Sequence, residues 1–112
     1  MLIFKILRPS EWQALHVQGR TDGAPIDVAD GYIHFSTADQ IAETAARHFA
    51  DAGDLMVLAV DADRFKSDLR WEISRGSQLF PHLYRELRLS DIAWARVCLR
   101  GPEGHILPEG VE

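Results

Sequence analysis

The pattern of apolar and polar positions divides this chain into short strands and two helices. We predict strands at five mainly apolar runs, which are 2–7, 31–36, 54–61, 69–74 and 92–100. The third of these runs is apolar throughout its middle, as in a strand covered on both faces and central in its sheet. In the fourth run, apolar residues alternate with Arg70, Glu72 and Ser74, so one face is predicted to be apolar and the other charged. Residues 79–85 are predicted to be extended or irregular around Pro81.

Both predicted helices lie in the N-terminal half. Ser10 with Gln13, and Thr37 with Gln40, have the spacing of capping boxes. The first helix is expected to end at Gly19 and the second to continue to about residue 50, whereas 20–31 is predicted to be a loop and the tail after residue 100 to be peripheral. Because helices and strands do not strictly alternate, we predict a single α+β domain over 1–112. Its split sheet, mixed or antiparallel, should contain five to six short strands.

Composition narrows the class of protein. Apolar residues make up 46% of the chain and charged residues 26%, with a net charge of −5. These values are typical of a globular domain and disfavour binding to a nucleic acid duplex or to anionic lipid. No apolar run approaches the roughly 20 residues of a membrane-spanning helix, and the only cysteine, Cys98, lies in an apolar run. We therefore expect a cytoplasmic protein, a monomer or weak dimer, with Cys98 buried.

The first candidate site residues are His34 and Ser36. Strand alternation puts both on one face, directly before the N-terminus of the second helix, where free amide groups would favour an anion. A hydrogen-bonded histidine within the sheet is the alternative interpretation for His34. Gln40 can be explained by its capping box alone.

A second group of candidates follows residue 69. Glu72 with Arg70 is either a surface ion pair or a positioned acid beside its counter-charge. His82 and Tyr84 flank the stiff segment after Pro81, and Trp71 reads as a core residue or as the wall of a pocket. His34, Glu72 and His82 would also make a two-histidine, one-carboxylate metal set if they converged, but no local spacing of metal ligands supports one, and we assign no metal.

Four segments taken together resemble a known family. They are EW at 11–12, DGYIHFSTADQ at 30–40, RWE at 70–72 and FPHLY at 80–84, and they resemble the signature of the small bacterial family called domain of unknown function 952. The resemblance covers nearly the whole chain. One departure is Arg85, because the family pattern usually has glycine after FPHLY, and a large charged residue there would change how closely a ligand approaches.

That family resembles in fold the ADP-ribosyltransferases and RNA 2′-phosphotransferases, which hold NAD in a cleft of a split sheet. The resemblance implies that His34 orients a ribose, that Tyr84 or Trp71 stacks on a ring, and that Glu72 stabilises positive charge. Two functions remain open. One is an enzyme acting on a nucleotide or phosphorylated ribose, with NAD as a cofactor by analogy only. The other is a non-catalytic module that binds a small anionic ligand or nucleotide. We predict catalytic roles for His34, Glu72 and His82, and ligand-binding roles for Ser36, Gln40, Arg70, Trp71 and Tyr84.

Overall fold

The computed structural model describes residues 1–112, which form three α-helices and nine strands. The helices are α1 (Pro9–Gln18), α2 (Pro25–Asp30) and α3 (Ile41–His48). The strands are β1 (Leu2–Leu7), β2 (Arg20–Thr21), β3 (Ile33–His34), β4 (Leu55–Asp61), β5 (Leu69–Ile73), β6 (Leu79–Leu83), β7 (Leu87–Arg88), β8 (Ile92–Gly101) and β9 (Gly104–Ile106). Every strand pairing is antiparallel, and the protein is α+β. It has more strands than predicted, and only two residues of the predicted strand 31–36 form β3.

The larger sheet has the order β1-β4-β8-β9 and carries the core on both faces. Its central strand β4 is buried on both sides, as its continuous apolar run predicted. Leu58 and Val60 face one hydrophobic cluster, while Val57 and Ala59 face the other. Cys98 of β8 is buried in the second cluster, which confirms its predicted location.

The smaller sheet has the order β3-β6-β5 and positions the candidate residues. His34 of β3 is opposite His82 of β6, which is opposite Arg70 of β5. Residues paired across antiparallel strands share a face, so these three side chains lie on one side of the sheet. An isolated bridge between Phe4 and Ser36 joins this sheet to β1 of the larger one. The third sheet is the two-stranded pair β2-β7.

The segment 20–31 is not the loop that its Gly, Pro and Asp content predicted. It contains β2 and the six-residue helix α2, which begins at Pro25 and ends before Gly31 in the left-handed conformation. The Asp27 carboxylate accepts a hydrogen bond from the backbone N–H of Ala24 and so caps the helix. The prediction failed because these residue types, which are common in loops, here occupy the two ends of a very short helix.

Three further predictions need correction. Helix α1 begins at Pro9 and is not capped by Ser10. The Arg8 backbone N–H, directly before the helix, donates a hydrogen bond to Glu11 rather than to Gln13. Helix α3 is shorter than expected at both ends, because it begins at Ile41 with Gln40 rather than Thr37 as its N-cap residue, and it ends at His48. The C-terminal tail is not only peripheral, since β9 extends the larger sheet and Leu107 and Val111 pack against the core. None of the three helices has the length and apolar character needed to cross a membrane.

Trp71 is not the core residue that strand alternation suggested. It lies on β5, an edge strand of the smaller sheet, and 40% of its surface is exposed. Its neighbours Ile73 and Leu79 are also exposed. The apolar face of β5 is therefore exposed at Trp71 and Ile73, whereas Leu69, at its start, packs against the first hydrophobic cluster.

Candidate functional site

A cleft of about 750 Å³ lies between the larger sheet, helix α3 and the smaller sheet. Strand β1 contributes Phe4 and Lys5 to its walls, and α3 contributes Thr44 and His48. The smaller sheet adds a set of polar and aromatic residues, which are His34, Ser36, Phe80 and His82. The volume falls within the range of small-molecule sites, roughly 300–1,000 Å³.

His82 is the most buried polar group among these, with 2% of its surface exposed. Its Nδ1–H donates to Oε1 of Glu72 at 2.8 Å. The Tyr84 hydroxyl donates to the same oxygen at 2.6 Å. Glu72 therefore fixes the orientation of the His82 ring and favours the tautomer that carries its proton on Nδ1.

The other ring nitrogen of His82, Nε2, is buried and has no hydrogen-bond partner within the protein. Leaving a buried polar atom unpaired typically costs about 1–3 kcal/mol, so such atoms are rare in folded proteins. With the proton held on Nδ1, Nε2 presents a lone pair. Nε2 therefore keeps an unused acceptor lone pair, although almost none of its surface is exposed.

The carboxylate of Glu72 is charged over a wide pH range. The hydrogen bonds from Tyr84 and His82 lower the pKa of Glu72 below its ordinary value. Correspondingly, the hydrogen bond to Glu72 and burial raise the pKa of the Tyr84 hydroxyl. The group behind His82 is thus an anion that can stabilise a positive charge on the imidazole.

His34 belongs to a second histidine–carboxylate pair beside the first. Its Nδ1 lies 2.5 Å from Oδ1 of Asp27, and its backbone N–H donates to the same oxygen at 3.0 Å. Lys5 Nζ donates to the other carboxylate oxygen of Asp27 at 2.7 Å. The His34 Nε2 lies 3.0 Å from Oδ2 of Asp30, so carboxylates face both of its ring nitrogens.

Asp27 is fully buried and remains ionised because of these partners. Burial raises its pKa, but the His34 hydrogen bond and the charge of Lys5 outweigh that effect and lower the pKa to about 2. The three residues come from α2, β3 and β1, so this network also ties the three elements together at the cleft.

Aromatic rings enclose the two histidines. Tyr32 stacks on His82, with ring centroids 4.2 Å apart and planes at 27°. It also contacts His34 at 4.7 Å and Tyr84 at 5.2 Å. The rings of His34 and His82 meet edge to face at 5.3 Å. This packing holds both imidazoles rigidly, since neither ring can turn without displacing Tyr32.

The opposite end of the cleft is basic. Arg75, on the hairpin between β5 and β6, donates from Nη2 to the Thr44 hydroxyl at 3.2 Å. Thr44 in turn lies 3.0 Å from the Ser36 hydroxyl. Arg8 and Arg47 also line the cleft, whereas its only acidic residues are Glu11 and the already paired Asp27.

The predicted residues occupy distinct positions. His34, Ser36 and His82 line the cleft, while Glu72 and Tyr84 reach it only through His82. The guanidinium of Arg70 lies 4.5 Å above the Tyr84 ring. Trp71 is on the same face of β5 as Leu69 and Ile73. This face is opposite to the one that carries Arg70 and Glu72, so Trp71 does not line the cleft.

Gln40 has a structural position that its capping box only partly anticipated. Its Oε1 accepts from the Thr37 backbone N–H at 3.1 Å, and its Nε2 donates to the Leu79 carbonyl at 2.8 Å. The backbone N–H groups of Gln40 and Ile41 both donate to the Thr37 carbonyl. These two amides at the start of α3 are therefore already bonded within the protein.

Arg85, which stands where the family pattern usually has glycine, does not line the cleft. Its guanidinium pairs with the buried Asp91 at 3.0 Å and lies 4.7 Å above the Phe65 ring. These contacts hold the Arg85 side chain away from the cleft.

Sequence reasoning missed three residues of the site: Asp27, Tyr32 and Arg75. Pro25 and Gly31, at the expected ends of a helix, were the available signals for α2 and hence for Asp27. Tyr32 shares its strand face with His34, so alternation was the signal there. Nothing in the local sequence distinguishes Arg75 from other loop arginines.

No group of three or more His, Cys, Asp or Glu side chains has an arrangement that could hold a metal ion.

The fold and the cleft define an α+β protein whose paired histidines are held by carboxylates on antiparallel strands. The chain belongs to the family described as protein of unknown function (DUF952), whose pattern matches residues 6–95. It is 44% identical to protein CC0527 from Caulobacter crescentus. The crystal structure of that protein superposes with a TM-score of 0.89, covering 94% of this chain and 92% of the other.

The solution NMR structure of CC0527 gives a TM-score of 0.83, with 93% and 90% of the two chains covered. No curated protein matches this chain. The comparisons therefore establish the family and the fold.

Proposed function

We propose that this protein binds a nucleotide or a phosphorylated ribose in the cleft, and that the ligand forms a hydrogen bond with His82 Nε2. The observation that carries the proposal is the unpaired, buried state of this atom. A ligand hydroxyl at His82 would supply the missing partner. The ligand reaches Nε2 only when a side chain that covers this atom moves aside, and the hydrogen bond to Glu72 keeps the ring oriented for the contact.

The charge of the cleft supports an anionic ligand. Arg8, Arg47 and Arg75 line it, although the whole chain carries a net charge of −5. Lys5 does not add to this excess, because the Asp27 carboxylate neutralises it. A local basic wall on an acidic protein favours a small anion over an extended polyanion, which the remaining surface would repel.

The apolar part of the cleft supports a ligand larger than a free anion. Rings of Phe4, Phe35, Phe49 and Phe80 contribute to the walls. A sugar or a base has faces that pack against such rings, while its hydroxyl and phosphate groups meet the polar positions. A nucleotide or phosphorylated ribose combines these properties in one molecule.

A second candidate function is an enzyme, favoured by the Glu72–His82 pair. A histidine whose Nδ1–H is held by a carboxylate and whose Nε2 is free has the arrangement of a general base with its positioning group. His82 would accept a proton from a ligand hydroxyl at Nε2, and Glu72 would stabilise the resulting imidazolium. The resemblance to ADP-ribosyltransferases suggests NAD as the ligand. We propose the kinship in fold with those enzymes together with the enzymatic function.

The test of binding is thermal unfolding with NAD, ADP-ribose, ADP and ribose 5-phosphate. A ligand that binds only the native state raises the melting temperature, on the order of 10 °C at a hundredfold excess over Kd for a domain of this size. The informative variant is His82→Asn, because the Asn amide N–H can replace Nδ1–H in donating to Glu72 but nothing replaces Nε2. His16→Asn, an exposed histidine outside the cleft, is the matched control.

The expected result is a shift in the wild type and in His16→Asn that is largely lost in His82→Asn. If none of the four compounds shifts the transition, or if His82→Asn responds like the wild type, the proposal is wrong. If the expected shift is seen, the Glu72→Gln variant distinguishes a binding protein from an enzyme. An enzyme loses turnover with its affinity largely kept, since a glutamine cannot stabilise the imidazolium.

A further inference from the structure

Three cationic side chains of this protein are largely buried, and they differ in how their charge is neutralised. Lys5 lies 2.7 Å from the buried carboxylate of Asp27, and Arg85 lies 3.0 Å from the buried carboxylate of Asp91. Arg75, with only 18% of its side chain exposed, has no such partner. Its nearest carboxylate oxygen belongs to Glu43 and is 3.9 Å away.

Glu43 is a poor counter-charge for Arg75. Its side chain is 52% exposed, and its other oxygen lies closer to Arg47, at 3.2 Å. The remaining contacts of Arg75 are with neutral groups. Its Nη2 donates to Thr44, its Nη1 lies 3.4 Å from His48 Nε2, and its guanidinium stacks 4.9 Å above the Phe80 ring.

An incompletely neutralised guanidinium in a cleft has a clear chemical preference. Burying a charge without a partner is unfavourable, so such groups are usually found where an anion completes the pair. Arginine also presents its donors in a planar fork that matches two oxygens of a phosphate. The hydroxyl groups of Ser36 and Thr44 and the imidazole of His48 lie beside it in the same cleft.

We infer that this end of the cleft, formed by Arg75, His48, Thr44 and Ser36, is the subsite for the phosphate group of the ligand. This inference rests on the proposed function and specifies which part of the ligand lies where. Phe80, under Arg75, precedes His82 by two residues on β6, which is about 7 Å along a strand. The phosphate is thus separated from the group at His82 by about one sugar ring.

The subsite accordingly selects a phosphorylated ribose over ribose itself. Arg75 lies at the tip of the β5–β6 hairpin. The turn contains Gly76 and Ser77 at positive φ, 66° and 61°, and Arg75 is the residue immediately before them.

The experiment is a titration with inorganic phosphate, and separately with ribose 5-phosphate and ribose, followed by 1H–15N NMR. The arginine side-chain Nε–H signals and the amides of Ser36 and Thr44 are the reporters. The variants are Arg75→Gln, His82→Asn and Arg88→Gln. Arg88 is the matched control, because it is an exposed arginine outside the cleft that pairs with Glu86.

We expect phosphate to perturb the Arg75 Nε–H, Ser36 and Thr44 signals in the wild type, in Arg88→Gln and in His82→Asn. Arg75→Gln should weaken phosphate and ribose 5-phosphate binding about ten- to a hundredfold, the usual effect of losing hydrogen bonds to a charged group. Equal perturbation of all arginine signals, no perturbation of Arg75, or unchanged affinity in Arg75→Gln would overturn the subsite.

The same data separate failure of the subsite from failure of the proposed function. If binding of ribose 5-phosphate depends on His82 but not on Arg75, the cleft is the ligand site and the phosphate lies elsewhere in it. If ribose 5-phosphate loses affinity in Arg75→Gln but not in His82→Asn, the subsite stands and the role of His82 falls. Binding of ribose with the same affinity as ribose 5-phosphate contradicts the subsite alone.

Discussion

Glu72 accepts a hydrogen bond from His82 Nδ1 at 2.8 Å although ten residues separate the two along the chain. The β5–β6 hairpin makes this possible, because Arg70 is opposite His82 and Glu72 is opposite Phe80 on the same face. Glu72 and His82 are therefore diagonal neighbours across two paired strands. The contact sets the tautomer of His82 and leaves Nε2, the atom on which the functional proposal rests, without a partner.

Removing the negative charge of Glu72 is expected to lower the pKa of Tyr84. The Tyr84 hydroxyl donates to Glu72, and its ionisation would place two negative charges side by side, so its pKa is raised in the native protein. In Glu72→Gln this repulsion is absent. Ultraviolet titration can follow the change, since the chain has only two tyrosines and Tyr84→Phe identifies their contributions.

Tyr32, whose pKa is raised mainly by burial, should titrate high in Glu72→Gln as well. If both tyrosines of Glu72→Gln titrate as in the wild type, the Tyr84–Glu72 hydrogen bond does not form in solution.

Asp27 is expected to make stability dependent on pH in the acid range. Its pKa falls from an ordinary value of 3.8 to about 2 in the folded protein, so the native state binds this proton less readily than the unfolded state. The contribution, about 2 kcal/mol, is fully present above roughly pH 4 and is lost as the pH falls towards 2. Urea unfolding from acid to neutral pH measures it. Asp27→Asn should be less stable near neutrality yet show a shallower loss below pH 4, and an unchanged slope would refute the assignment.

Lys5→Met is expected to destabilise the protein by about 3–5 kcal/mol, the usual result of removing one partner of a buried ion pair. Lys5 is 8% exposed in its side chain and Asp27 is fully buried, so water cannot replace the lost ammonium. Lys66→Met, at an exposed lysine, is the control. Equal stability of the two variants in urea would show that Lys5 does not pair with Asp27.

Arg75 and Arg85 should respond in opposite ways to the same substitution. Arg85→Gln removes the partner of the buried Asp91 and should lower the melting temperature by several degrees. Arg75→Gln removes a largely buried charge without a close carboxylate and should leave the melting temperature unchanged or raise it. A large loss of stability in Arg75→Gln would mean that its contacts with Thr44 and Phe80 are structural, contrary to a role in binding.

The elements that sequence predicted well are those with a strong local pattern. The run 54–61 indicated a central strand because every position in its middle is apolar, and β4 occupies that position. The alternation of 31–36 correctly placed His34 and Ser36 together, and both line the cleft, whereas Ile33 and Phe35 belong to the first core cluster. In these segments, the order of apolar and polar residues directly indicates which faces of the strand are buried.

The contacts that define the site could not be predicted in the same way. The pairing of Asp27 with both Lys5 and His34 depends on how α2, β1 and β3 pack together. A six-residue helix such as α2 is also too short to show a helical period in the sequence. Trp71 was wrongly predicted as a core residue because alternation indicates the apolar face of a strand but not which part of that face is covered. The register that brings His34 opposite His82 is likewise set by packing across the whole smaller sheet.

The central claim is that His82 carries its proton on Nδ1 and offers Nε2 to a ligand. Long-range 1H–15N NMR of the imidazole tests this directly, because protonated and unprotonated ring nitrogens have distinct shifts. We predict a protonated Nδ1 and an unprotonated Nε2 in the neutral ring, and a change at Nε2 when ribose 5-phosphate or ADP-ribose is added. A proton on Nε2 instead, or an Nε2 signal unmoved by a compound that raises the melting temperature, would contradict it.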